Sequence, residues 1–149
     1  MLINLVAHTR FVTRQTVESD VHVHLAGPAT ARLYEQIGQA MKIRGINLRI
    51  SSLLRPMFEA AGVKDIKMDY RSVPVGWGPE DLGPQVKANL FTALPEFKNI
   101  VITALGTGEE EYDELVAEAL NETGNEYKSY INMTSIVGKK PVKSVEGKR

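Results

Sequence analysis

The chain has 149 residues, of which 43% are hydrophobic and 24% charged, and these values are typical of one soluble globular domain. Eighteen basic and eighteen acidic residues give a net charge of zero, which argues against a dedicated nucleic-acid or membrane-surface binder. The absence of cysteine excludes disulfides and thiolate chemistry, and no apolar run approaches the ~20 residues of a membrane-spanning helix. The first residues lack the features of a signal peptide, so we expect one domain, residues 1–149, in the cytoplasm or nucleus.

The first 28 residues are predicted to form two or three short strands, because β-branched residues are frequent and no helical apolar stripe is present. Gly27 and Pro28 then mark a break, since proline suits the first turn of a helix. Leu33 and Ile37 belong to an apolar stripe that predicts a helix over residues 29–43.

A second helix is predicted up to Gly62, with Pro56 near its first turn. The alternation of Ile66, Met68 and Tyr70 with charged residues predicts a strand with one solvated face.

Helical periodicity returns over residues 80–105, where Pro95 predicts a kink or two helices that meet near Leu94. Thr107 and Glu110 have the spacing of a capping box for the next, acidic helix. A strand over 127–137 and a flexible basic tail over 142–149 complete the prediction.

Residues 29–141 contain several short motifs in a characteristic order. Ala61-Gly62-Val63 precedes the strand, Pro74-Val75-Gly76-Trp77 follows it, and Gly138-Lys139-Lys140-Pro141 lies near the end. This order resembles the C-terminal, substrate-side half of the LaeA-like class I methyltransferases, which use S-adenosylmethionine (SAM).

The resemblance implies a partial Rossmann-like α/β fold, with α+β as the alternative. It implies a small mixed sheet whose last two strands pair antiparallel at one edge and are covered by helices. In that family SAM is the cofactor, held at a glycine-rich turn after the first strand and by an acidic residue after the second. Neither feature precedes Ala61 here, so we expect a truncated family member that binds no SAM by itself.

Three aromatic residues are candidates for a substrate pocket. Trp77 is the lone tryptophan and lies in a Gly-Pro-rich connection, while Tyr34 and Phe91 lie on predicted helices and could face the same cavity. Packing in the core is the alternative for all three.

Two other pairs of side chains could take part in metal binding or in acid–base chemistry. His22 and His24 would share one face of a strand and could supply two metal ligands, but His8 is the only further histidine. Glu18 and Asp20 have the same spacing and could act as paired carboxylates. Solvated strand positions explain both pairs more simply.

Three functions are consistent with these features. The first is a methyltransferase-family protein that is inactive alone, in fungal secondary metabolism, where related proteins occur. The second is a SAM-independent isomerase or cyclase that uses the apolar pocket. The third is an interaction module that docks on a full-length relative. As partners we expect a small apolar molecule and a second copy of the chain or a relative, with no nucleic acid and no membrane.

Overall fold

A computed structural model describes residues 11–19 and 22–141 of the chain. Its elements in chain order are β1 (Phe11–Ser19), α1 (Pro28–Ile43), α2 (Ser51–Ala60), β2 (Lys64–Pro74), α3 (Gly83–Thr92), α4 (Leu94–Leu105), α5 (Glu109–Glu122) and β3 (Tyr130–Pro141). The fold is therefore mixed α/β, as predicted.

The three strands form one sheet in the order β1-β3-β2, and β3 is antiparallel to both neighbours. Met68 and Tyr70 of β2 lie opposite Ile136 and Thr134 of β3, which confirms the predicted antiparallel pair. The sheet was predicted to be mixed, but both strand pairs in the described residues are antiparallel. The reason is that β1 and β2, which run in the same direction, are separated by β3 and do not pair with each other.

Two or three short strands were predicted within the first 28 residues. One strand, β1, occupies residues 11–19, and His24 forms an isolated antiparallel bridge with Tyr130. The strands expected within residues 1–10 and the flexible tail expected over 142–149 lie outside the described residues.

The main hydrophobic core lies between α1, α4 and α5. Leu33 and Ile37 of α1 are both fully buried, because their four-residue spacing places them on the same face of the helix. They pack in one cluster with Leu94 and Val101 of α4 and with Tyr112 of α5, whose hydroxyl donates to the Leu94 carbonyl oxygen at 2.8 Å. This core therefore buries one face of α1 and leaves the opposite face directed outward.

A smaller cluster joins the sheet to α1 and α3. Val75, the residue after β2, is fully buried, and Val23 and Ile131 are nearly so. Tyr34 of α1 and Leu90 of α3 pack against these three residues. The cluster fixes α1 close to the end of the sheet at which β1 and β2 finish and β3 begins.

Candidate functional site

A groove of about 800 Å³ runs along the outward face of α1 and is here called the α1 groove. One wall is the connection between α1 and α2, including Leu48 and Arg49, and one end is formed by His22 and Val23. Its volume is in the range of small-molecule sites, about 300–1,000 Å³.

Small residues on α1 leave room for this groove. Ala31 and Gly38 lie on the stripe of α1 opposite the buried face, and both line the groove. A Cβ atom built on Gly38 meets no other atom within 4 Å. Glycine in a helix interior costs about 1 kcal/mol relative to alanine, so this position lowers helix stability without any steric requirement for it in the described residues.

Tyr34 contributes a hydroxyl group to the groove, and its ring forms part of the apolar floor. Its ring packs against the cluster of Val23, Val75 and Ile131, and it also lines the groove. Burial raises the pKa of Tyr34 to about 12, with a smaller contribution from the nearby Tyr112, so the phenol is neutral at physiological pH. Within the described part of the chain its hydroxyl makes no hydrogen bond, which leaves it available to a ligand.

The far end of the α1 groove is charged. Lys42 and Arg49 line it together with Glu35 and Gln39, and the Gln39 amide donates to the Glu35 carboxylate at 3.3 Å. A ligand with an apolar body and a polar or anionic end would therefore match the groove along its length.

At its other end the α1 groove meets a set of polar and aromatic side chains, here called the strand-end cluster: His22, His24, Ser72, Tyr130 and Asn132. The carboxyl ends of β1 and β2 and the amino end of β3 lie together here, as their registers require. The His24 ring stacks on Tyr130 at a centroid distance of 4.8 Å, and His22 contacts His24 edge-on at 4.5 Å.

A chain of hydrogen bonds orients His24. The Ser72 hydroxyl donates to Asn132 Oδ1 at 2.8 Å, and Asn132 Nδ2 lies 3.1 Å from His24 Nε2. Because an amide nitrogen only donates, Nε2 must accept, and the neutral His24 ring then carries its proton on Nδ1. Asn132 thereby sets both the position and the tautomer of the ring.

Trp77 does not line the α1 groove. Its indole Nε1 donates to the Ser129 carbonyl oxygen at 2.6 Å, and the Lys128 ammonium lies 5.9 Å from the centre of its ring. Phe91 packs against the core of α1, α4 and α5. Of the three predicted substrate residues, the structure places only Tyr34 in the groove and does not bring the other two to it.

The N-terminus of α1 is occupied by a buried carboxylate from another helix. Glu122, the last residue of α5, accepts hydrogen bonds from the backbone N–H groups of Ala29 at 3.3 Å and Thr30 at 2.6 Å. The Thr30 hydroxyl also lies 2.8 Å from that of Thr123. Gly27 lets the carboxylate approach, since a Cβ there would overlap Glu122. Helix N-termini favour negative charge, so this contact ties α5 to α1.

The structure brings His22 and His24 together, as their spacing predicted. No group of three or more His, Cys, Asp or Glu residues that could hold a metal ion occurs in residues 11–19 and 22–141. Glu18 lies opposite Thr134 in the sheet, and Asp20 lies outside the described residues. None of the helices in the described ranges is long and apolar enough to cross a membrane.

No protein-family model matches the chain, and no curated protein matches it.

Proposed function

We propose that this chain is a methyltransferase-family protein that corresponds to the substrate-side half of the LaeA-like fold and binds no SAM by itself. In support, β2 and β3 pair antiparallel at one edge of the sheet, as the resemblance implies, and helices precede each of them. The sequence between β1 and α1 lacks the glycine-rich turn that joins the first strand to its helix in that family.

Glu122 gives this proposal its strongest support. In dinucleotide-type sites the ligand lies at the N-terminus of the helix after the first strand, where free backbone N–H groups point at it. Here α1 follows β1, but the N–H groups of Ala29 and Thr30 already bond to the Glu122 carboxylate. A cofactor at this helix end would have to displace a buried charge.

The α1 groove offers a binding site away from this helix end. Its apolar base and the Tyr34 hydroxyl suit a small, mainly apolar molecule with one hydrogen-bonding group, and Lys42 and Arg49 suit an anionic end. Such ligands are consistent with a place in fungal secondary metabolism, where members of the resembled family occur. Methyl transfer would then require a SAM site other than the N-terminus of α1.

A fluorescence titration with 8-anilinonaphthalene-1-sulfonate, an aromatic anion, tests the groove as a binding site. We expect the Gly38→Leu variant to bind the dye at least ~tenfold more weakly than the unmodified chain, because the new side chain projects into the groove. Leucine is a better helix former than glycine, so the variant should remain folded.

Gly38→Ala is the matched control, since it improves the helix in the same way but leaves most of the groove open. It should bind the dye as the unmodified chain does. Equal dye affinity in the Gly38→Leu variant would place the dye elsewhere and contradict the groove as the site.

A further inference from the structure

The outer edge of β2 is open in the described part of the chain. β2 pairs with β3 on one side only, and no strand in residues 11–19 and 22–141 lies on the other. Its side chains are largely solvated: Met68 is 39% and Tyr70 64% exposed. Edge strands of this length present unpaired backbone groups that can template another strand.

The backbone of β2 shows which residues face that edge. The Val75 N–H donates to the Ser129 carbonyl oxygen at 3.0 Å in the register of β2 and β3, so the backbone groups of odd-numbered residues face β3 and those of Tyr70 face the open edge. The Tyr70 N–H donates there to its neighbour's carboxylate, Asp69, at 2.9 Å, and pairing would exchange this local bond for one to the partner's Ile66 carbonyl oxygen. Since backbone groups alternate along a strand, Met68 has the same outward orientation. Met68 can therefore exchange a pair of backbone hydrogen bonds with a strand beyond the edge.

The sequence of β2 is complementary to itself when it is reversed about Met68. In an antiparallel pair centred there, Met68 lies opposite the partner's Met68, and Lys67 lies opposite the partner's Asp69. Ile66 lies opposite the partner's Tyr70. Each position meets a residue of opposite charge or similar polarity, and such cross-strand pairs stabilise a sheet.

We propose that a second copy of this chain pairs with the first along β2, antiparallel and centred on Met68. The two three-stranded sheets then form one continuous sheet of six strands, with the order β1-β3-β2 repeated in reverse in the partner. The Lys67 and Asp69 pairs fall at positions without backbone hydrogen bonds, where opposed side chains are closest.

β2 could also pair with β2 of a second copy in other antiparallel registers that keep matching side chains on the same face of the sheet. These registers are less favourable. Centring on Lys67 or on Asp69 brings each of these charges against its own copy. Centring on Tyr70 pairs Asp69 with the partner's Arg71, but it brings Pro74, which has no N–H, opposite Ile66 and leaves Lys67 opposite an apolar residue. Only the Met68 register therefore matches the charges of both Lys67 and Asp69 without placing a proline in the paired segment.

Lysine and bulges on an edge strand can also protect it from pairing, and β2 has both. Its register shifts between Lys64 and Lys67, and Asp65 there has a φ of +52°. This irregularity ends regular pairing beyond Ile66, which limits the contact to about five residues of each strand. Lys67 remains inside the paired segment, where Asp69 of a second copy matches it and an unrelated edge would not.

The pairing would also extend a cleft on the same face of the sheet. This cleft, of about 530 Å³, is lined by Met68, Tyr70, Ser72, Asn132 and other residues of β2 and β3. With the second copy in place, the partner's Tyr70 lies beside Ile66 and continues the cleft wall across the interface. The dimer thus buries part of the apolar surface that the single chain exposes.

Sedimentation-velocity ultracentrifugation of charge-swapped variants tests this interface. Lys67→Asp places like charges opposite each other at both symmetry-related contacts, and so does Asp69→Lys. We expect each variant alone to dimerise at least ~tenfold more weakly than the unmodified chain. Both residues are exposed, so neither change should unfold the protein.

Combinations of the two charge swaps supply the control. An equimolar mixture of Lys67→Asp and Asp69→Lys restores two opposite-charge contacts, so it should form a heterodimer, and the Lys67→Asp/Asp69→Lys double variant should recover the homodimer. An unmodified chain that stays monomeric at all concentrations would overturn the proposal. It would also be overturned by dimers that are insensitive to the single swaps, or by a mixture that stays as weak as its components. Because these residues lie outside the α1 groove, dye binding there reports separately on the proposed function.

Discussion

Replacing Glu122 with alanine should lower the free energy of unfolding by about 3 kcal/mol, one of the two largest effects we expect from a single substitution. The change removes a buried carboxylate that accepts hydrogen bonds from Ala29 and Thr30. It leaves the first turn of α1 without these partners and removes a negative charge from the positive end of the helix dipole. Urea denaturation followed by far-UV circular dichroism measures the loss.

Glu118→Ala is the matched control, because Glu118 lies one turn earlier on α5 and is exposed. It should change stability by less than about 0.5 kcal/mol. If the two alanine variants were equally stable, the contact between Glu122 and α1 would not contribute to the fold.

Replacing Gly83 with alanine should destabilise the protein by about 3 kcal/mol or more. Gly83 begins α3 and is buried, and a Cβ atom there would overlap the backbone carbonyl of Trp77. The Gly83 carbonyl oxygen also accepts from the Gly76 N–H at 2.8 Å, so the turn that holds Trp77 cannot move without breaking this bond. Thermal unfolding should show the loss, and Trp77, the only tryptophan, reports on its own surroundings by fluorescence.

Gly38→Ala should change the stability of the protein in the opposite direction from Gly83→Ala. Because nothing lies near the Cβ position of residue 38, alanine should stabilise α1 by about 1 kcal/mol. Unaltered stability and Trp77 emission in the Gly83→Ala variant would contradict the close approach of α3 to the connection after β2.

The sequence predicted those elements whose apolar residues repeat with a clear period. Leu33 and Ile37 identified α1 and its buried face, and the alternation around Met68 identified β2. Pro95 predicted a break near Leu94, and the structure has α3 and α4 meeting at Ala93, with Pro95 in the first turn of α4. In each case the signal depends on residues close together in the chain.

Interactions between distant residues were not predictable. Thr107 and Glu110 suggested a capping box for α5, but the helix begins after Gly108 with no side-chain cap. The buried cap in this fold joins Glu122 to α1, whose N-terminus is more than ninety residues away in the chain. No local pattern marks Glu122 among the other acidic residues of α5.

The candidate site was predictable only in part for the same reason. Tyr34 was among the expected substrate residues and lines the α1 groove, whereas Trp77 and Phe91 pack elsewhere. Helical spacing places Tyr34 on a face of α1, but which cavity that face meets depends on the connection before α2. His24 was identified as a candidate, yet its partner Asn132 is set by the sheet register.

Calorimetric titration of the chain with SAM, and separately with its demethylated product, tests the central claim most directly. We expect no saturable heat from either compound, because the N-terminus of α1 is closed by Glu122 and the chain has no glycine-rich turn before it. A cooperative urea transition of the same protein sample, followed by far-UV circular dichroism, should show that it is folded. A SAM dissociation constant in the micromolar range, about 8 kcal/mol of binding free energy, would contradict the account.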